Sequence, residues 1–186
     1  MLTYGSAPFP DNRVRFRWGF TYMADTSVIG KPLASSVIVM ERSPVSNFAK
    51  AVKDDSAVYQ DLRAAKEAGF DNIPVPPTMG FAFNNWGQFP ELQPDDNTKG
   101  ANPVMEVLGS LMKTGGLILH GEQEFTYHAP IVAGDTLKST GKISNVYEKT
   151  SSNGKVMTFI SAETEYRNQR DELVLTAVMT LIHRAG

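Results

Sequence analysis

From Arg13 to Tyr22 apolar and polar residues alternate with period two. Val14, Phe16, Trp18, Phe20 and Tyr22 fall on one side, Arg13, Arg15, Arg17 and Thr21 on the other. That pattern predicts a half-buried strand forming an N-terminal extension, its arginine face solvated. Asp25 to Pro32, with Gly30 and Pro32, reads as a turn, and β-branched Val37, Ile38 and Val39 mark a short strand over 35–42. The period then changes. Val45, Phe48, Ala49 and Val52 recur at i, i+3, i+4 and i+7, one apolar stripe of a helix that Ser43 can cap and Pro44 can begin. A second short helix is predicted over 61–68, closed by Gly69.

Residues 71–116 are less regular. Pro74, Pro76 and Pro77 impose an extended approach, after which Thr78 can cap a helix through Phe81 and Phe83. A polar loop occupies 90–102, and Val104, Val107, Leu108 and Leu111 place a helix over 103–114. The stretch 85–102 is an excursion too short to fold alone, so 1–186 reads as one domain with an inserted loop. From Leu117 the pattern is a β-meander, with strands over 117–128, 136–147, 155–167 and 173–183. Gly134-Asp135 serves a corner and Asn153-Gly154 a hairpin turn. Helices early and long antiparallel strands late predict an α+β fold, a sheet packed on helix by one face.

Composition narrows the function classes. The chain has 186 residues, of which 41% are hydrophobic and 20% charged, enough for a substantial core. A net charge of -2 argues against nucleic acid or an anionic membrane as the main partner. Zero cysteines excludes disulfides, thiol nucleophiles and thiolate metal sites. With no run of roughly 18 apolar residues and no basic-then-apolar start, a cytoplasmic protein without metal or cofactor is expected.

The segment Phe48-Ala49-Lys50-Ala51-Val52-Lys53-Asp54-Asp55-Ser56-Ala57-Val58-Tyr59 resembles the active-site segment of MaoC-like hydratases, Phe-Ala-x-Ala-x-x-Asp-x-Asn-Pro-x-His. Asp54 falls on the family's Asp, and Tyr59 stands where the family has His. Three further segments are similar in family order. They are Ala65-x-x-x-Gly69 with Ile73-Pro74-Val75-Pro76-Pro77-Thr78, Leu119-His120-Gly121-Glu122-Gln123-Glu124-Phe125, and Phe125 through Leu137 with its Pro-x-x-x-Gly-Asp turn. The resemblance is to the branch of N-terminal MaoC-like dehydratase domains and the non-catalytic subunits of heterodimeric 3-hydroxyacyl thioester dehydratases.

What the resemblance implies is a hot-dog fold, an antiparallel sheet wrapped around a central helix near Phe81 or Leu108. It also implies a tunnel for an acyl-CoA or acyl-carrier-protein thioester and assembly as a homodimer or with a catalytic hot-dog chain. Asp54 and Tyr59 take the catalytic positions, and Pro77, Thr78, Met79 and Gly80 the substrate-binding ones, a backbone amide there polarising the thioester carbonyl. Tyr59 departs from the pattern chemically, because a phenol of pKa about 10 is a poor base beside imidazole. His120 and His128 lie off the family position and read as structural strand residues. The expected function is therefore the acyl-binding component of an enoyl thioester hydratase or dehydratase. An acyl-CoA-binding or thioesterase homodimer is the alternative, and an unrelated α+β ligand-binding module a third.

Overall fold

The computed structural model describes residues 24–185 except 114 and 153, so the strand expected over 13–22 lies outside the described residues. Five strands are described: β1 (Pro32–Val39), β2 (Leu117–Tyr127), β3 (Thr136–Thr150), β4 (Val156–Arg167) and β5 (Leu173–Arg184). They form an antiparallel sheet in the order β1-β3-β4-β5-β2. The meander is real for β3, β4 and β5, but β2 pairs with β5 at the far edge instead of with β3. Backbone bonds explain the crossing. Val75 N donates to Ile131 O at 2.8 Å and Ala133 N to Ile73 O at 2.8 Å. The corner after β2 is thereby held against the Ile73–Val75 segment, and β3 starts beside β1.

Helix α1 (Arg42–Ala51) begins one residue before the expected cap, with Glu41 in the capping place and no side-chain bond from it. Pro44 did not fix the start, because any position in the first turn lacks an intrahelical partner for its N–H. Val45 and Ala49 are fully buried, whereas Val52 falls beyond the helix end and is exposed. Asp61 caps α2 (Leu62–Glu67), accepting from Ala64 N at 2.9 Å. The helix expected after Thr78 is instead a tight 3₁₀ segment, Met79–Asn85, and Thr78 makes no side-chain cap. Asn102 caps α3 (Pro103–Met112), accepting from Met105 N at 3.1 Å.

Two apolar clusters share the inner face of the sheet. In the first, Met79 and Phe83 of the 3₁₀ segment pack with Ile38, Leu137, Tyr166 and Leu175. In the second, Val104, Val107, Leu108 and Leu111 of α3 pack with Ile143, Val146, Ile160 and Ala162. Each large aliphatic buried this way contributes about 1.5–3 kcal/mol. Both helical segments singled out from the sequence are thus buried on the sheet. They form one covering layer broken in two by the loop between them.

That loop closes the outer edge of β1. Gln93 receives Val37 N through Oε1 at 3.0 Å and donates Nε2 to Val37 O at 2.9 Å. Asn97 accepts from Ser35 N at 2.9 Å and donates to Leu33 O at 3.1 Å, and Val39 N donates to Gly87 O at 2.9 Å. Two side-chain amides and one carbonyl so act as a sixth strand would. Gly87 has φ 66°, and a Cβ on it would collide with the Val39 carbonyl oxygen. Gly69 has φ 91° but open space around it. Gly69→Ala should therefore cost about 1 kcal/mol from backbone strain alone, and Gly87→Ala about 2 kcal/mol or more. Urea unfolding of the two variants, measured side by side, checks the difference; equal losses would show that the loop does not grip β1.

Candidate active site

The end of α1 fixes where the Asp54 backbone goes. Lys53 adopts φ 60°, Lys53 N donates to Lys50 O at 3.1 Å, and Asp54 N donates to Ala49 O at 2.9 Å. These are the paired bonds of a Schellman cap, which turns the chain sharply away from the helix. Asp54 Oδ1 accepts from Ser56 N at 3.1 Å, so the carboxylate also closes the next turn. A 3₁₀ turn, Ala57–Tyr59, follows and is tied back to α1. Ser46 Oγ donates to Tyr59 O at 2.7 Å and Gln60 Nε2 donates to Ser46 O at 2.9 Å. Tyr59 is thus held by its own backbone.

Tyr59 lines a cavity of about 410 Å³, within the size range of small-molecule sites. Phe70, Val75, Pro77, Tyr127, His128 and Ile131 share its wall. The Tyr127 hydroxyl donates to Pro77 O at 2.8 Å, bridging β2 to the proline approach. Of the residues expected to bind substrate, Pro77 lines the cavity. Thr78 follows it, exposed, and Met79 and Gly80 open the 3₁₀ segment, both buried. A Cβ on Gly80 would meet the Phe125 ring at 2.8 Å, so the backbone there is pressed against β2. Asp54 does not line the cavity, yet its carboxylate acts on Tyr59.

The electrostatics favour neutral phenols. Burial, and secondarily the Asp54 charge, push the Tyr59 hydroxyl above its ordinary value. Tyr127 is pushed up to about 12, first by burial of its hydroxyl end and then by Tyr59 and Tyr166. Although the Tyr127 side chain is over a third exposed, that hydroxyl end sits on Pro77 O. These phenols can donate hydrogen bonds at neutral pH but cannot accept a proton. His128 carries the imidazole of the cavity wall, with Nε2 3.0 Å from Thr176 Oγ1. It was read as a structural strand residue; it stands at the end of β2 facing the cavity. His120 lies elsewhere, edge-on to the Phe81 ring at 5.2 Å. Among the described residues no cluster of three His, Cys, Asp or Glu could hold a metal, and no helix is long and apolar enough to cross a membrane.

Sequence reasoning missed Tyr127, His128 and Phe70 as cavity residues. The signal was faint: the Phe125-Thr126-Tyr127-His128 run alternates as any strand does, and only the corner bonds bring its end over Pro77.

Residues 27–177 match the family model described as FAS1-like, dehydratase domain region. A UPF0336 protein of Streptomyces avermitilis is 31% identical over 145 residues, covering 78% of this chain and 84% of that one. A probable enoyl-CoA hydratase alpha subunit of Thermomonospora curvata is 28% identical over 135 residues, 71% of this chain and 41% of that longer protein. Among solved structures, the ChsH1-ChsH2 complex of Mycobacterium tuberculosis aligns with a TM-score of 0.64 at 19% identity, covering 82% of this chain and 88% of that one. The C-terminally truncated HadBC (3R-hydroxyacyl-ACP dehydratase) complex of the same organism gives 0.60 at 22%, covering 83% and 96%. The chain has the hot-dog fold expected from the sequence.

A pH prediction follows from the buried phenols. Tyr127 and Tyr166 both rise from 10.0 to about 12 in the folded protein. A raised folded-state pKa leaves stability intact below the unfolded value and removes it as pH climbs through the folded one. Stability should therefore hold up to about pH 10 and fall between about 10 and 12. Phenolate absorbance followed alongside circular dichroism checks this. Ionisation of these phenols well before any loss of structure would contradict it.

Proposed function

The chain belongs to the FAS1-like dehydratase domain family, and from that premise we propose that it is the acyl-binding component of an (R)-specific enoyl thioester hydratase or 3-hydroxyacyl thioester dehydratase. It acts on a coenzyme A or carrier-protein thioester beside a catalytic hot-dog chain. The observation that carries the reading is the cavity wall at Tyr59: at the position of the family's imidazole stands a phenol pushed above its ordinary pKa. Hydration delivers a water oxygen to the β-carbon and a proton to the α-carbon, and dehydration is the reverse. Either direction needs a group that takes a proton and one that gives it. Tyr59 can orient a water or a carbonyl by donating a hydrogen bond. Asp54 can polarise that arrangement through charge, while its own oxygen is engaged at Ser56 N. The full acid–base pair then comes from the partner.

The edges of the sheet support assembly. The β1 edge is occupied by Gln93, Asn97 and Gly87, whereas among the described residues β2 is a sheet edge with Leu117 and Leu119 exposed. Phe81, which is 62% exposed, packs edge-on to His120 of the same strand. An edge strand with apolar flanks is a surface for joining another sheet.

Two measurements test this. Sedimentation at micromolar concentration should show a dimer, or a heterodimer when the neighbouring gene is co-expressed; a persistent monomer in both cases would defeat the assembly. The chain alone should hydrate crotonyl-CoA weakly or not at all, because loss of one acid–base group removes about 10²–10⁴ in rate. Tyr59→His should raise that activity, and Asp54→Asn in the same chain should abolish the gain. Strong wild-type turnover that survives Asp54→Asn would place the chemistry elsewhere.

A further inference from the structure

The inner face of the sheet is apolar at both ends and polar between them. Along β4 the inward positions run Ile160, Ala162, Thr164, Tyr166, and along β3 Leu137, Ser139, Gly141, Ile143. Ser36 of β1 joins this row, its Oγ 2.8 Å from Ser139 Oγ. Hydroxyls on the inner face of a sheet are disfavoured under an apolar helix, since each needs a hydrogen-bond partner once dry. Here the helix is missing. The hydroxyl belt lies where the covering layer is split between Met79–Asn85 and α3, and a cavity of about 380 Å³ occupies the gap.

Ser139, Thr164 and Tyr166 line this second cavity together with Val104, Met179 and Leu181. Tyr166 is only 5% exposed, its ring wedged edge-on against Phe83 at 5.3 Å. Among the described residues neither the Tyr166 hydroxyl nor that of Thr164 takes a protein hydrogen-bond partner. Among the described residues no buried side-chain oxygen is left both sealed and unsatisfied, so these hydroxyls face the open space. Among the described residues the lining contains no Lys, Arg, His, Asp or Glu. A carboxylate or phosphate would find no counter-charge there, whereas a carbonyl or hydroxyl oxygen would find donors.

We propose that this cavity takes the distal part of a bulky acyl group carrying an uncharged oxygen, a ketone or hydroxyl, that Tyr166 and Thr164 hydrogen-bond. The proposal rests on the acyl-thioester reading above and names the class of acyl group. A plain saturated chain would leave both hydroxyls without partners in a dry site, so the oxygenated chain is preferred.

The test is calorimetric titration of the full chain, with any partner that co-purifies, against three probes. These are crotonyl-CoA, decanoyl-CoA, and the decanoyl thioester bearing a methyl ketone at its far end. The ketone thioester should bind about tenfold more tightly than decanoyl-CoA, the size expected of one well-made hydrogen bond. Tyr166→Phe keeps the ring against Phe83 and should erase most of that preference by weakening the ketone thioester without weakening decanoyl-CoA; Thr164→Val should reduce it. Equal wild-type affinities for the two long thioesters, or a preference untouched by Tyr166→Phe, would overturn the inference and leave the thioester reading standing. Failure of all three to bind, as coenzyme A thioesters and again on a carrier protein, would overturn the thioester reading, and this inference with it.

Discussion

The bonds from Gln93, Asn97 and Gly87 to the outer edge of β1 are the constraint on which the rest depends. They satisfy backbone groups of Leu33, Ser35, Val37 and Val39 that would otherwise meet water at the sheet margin. Holding the loop against β1 also holds it away from the middle of the inner face. The Met79–Asn85 segment and α3 consequently cover opposite ends of the sheet; Phe83 packs against the Tyr166 ring, and Ser139, Thr164 and Tyr166 line the cavity left between the two. One set of polar contacts thus closes one edge, leaves β2 as the other, and opens a cavity in what would be a continuous helical layer.

How much of this was legible depended on whether a signal was local. The strands after Leu117 and the stripe of α3 were readable because periodicity is written in consecutive residues. Val104, Val107, Leu108 and Leu111 are buried as the spacing required. Strand order was not readable, since β2 reaches β5 through corner bonds to Ile73 and Val75 that no pattern within β2 announces. The start of α1 was misplaced for a similar reason: Pro44 is equally comfortable anywhere in the first turn. The role of Gln93 and Asn97 was invisible, because an amide in a polar loop looks the same whether it meets solvent or a strand edge.

The candidate site divides the same way. Tyr59 was found through its place in a motif, and the structure puts it on a cavity wall because the Schellman cap at Lys53 and the Ser46 and Gln60 bonds leave its backbone little freedom. Asp54 was found by the same motif but sits off that wall, its Oδ1 turned to Ser56 N. A carboxylate so placed influences the cavity by its field. It adds to the rise that burial chiefly gives the Tyr59 hydroxyl, favouring the neutral phenol, a polarity opposite to the one a general base requires. Tyr127 and His128 come from the far half of the chain and could join Tyr59 only after the sheet had formed.

Chemistry and shape therefore point in one direction. The cavity at Tyr59 is lined by donors and apolar rings, and the second cavity by hydroxyls, the amides of Asn84 and Asn102 and aliphatic side chains, without a charged residue among the described ones. Neither wall supplies a carboxylate and imidazole facing one another, the arrangement that moves protons efficiently at neutral pH. Both supply what a long uncharged ligand needs, which is apolar area with a few fixed donors. A phenol on the Tyr59 cavity wall, beside apolar rings, fits the proposed role of holding a substrate better than that of a base. On that proposal the proton transfers fall to a second chain, and among the described residues the β2 edge, with Leu117, Leu119 and Phe81 exposed, is the surface it would meet.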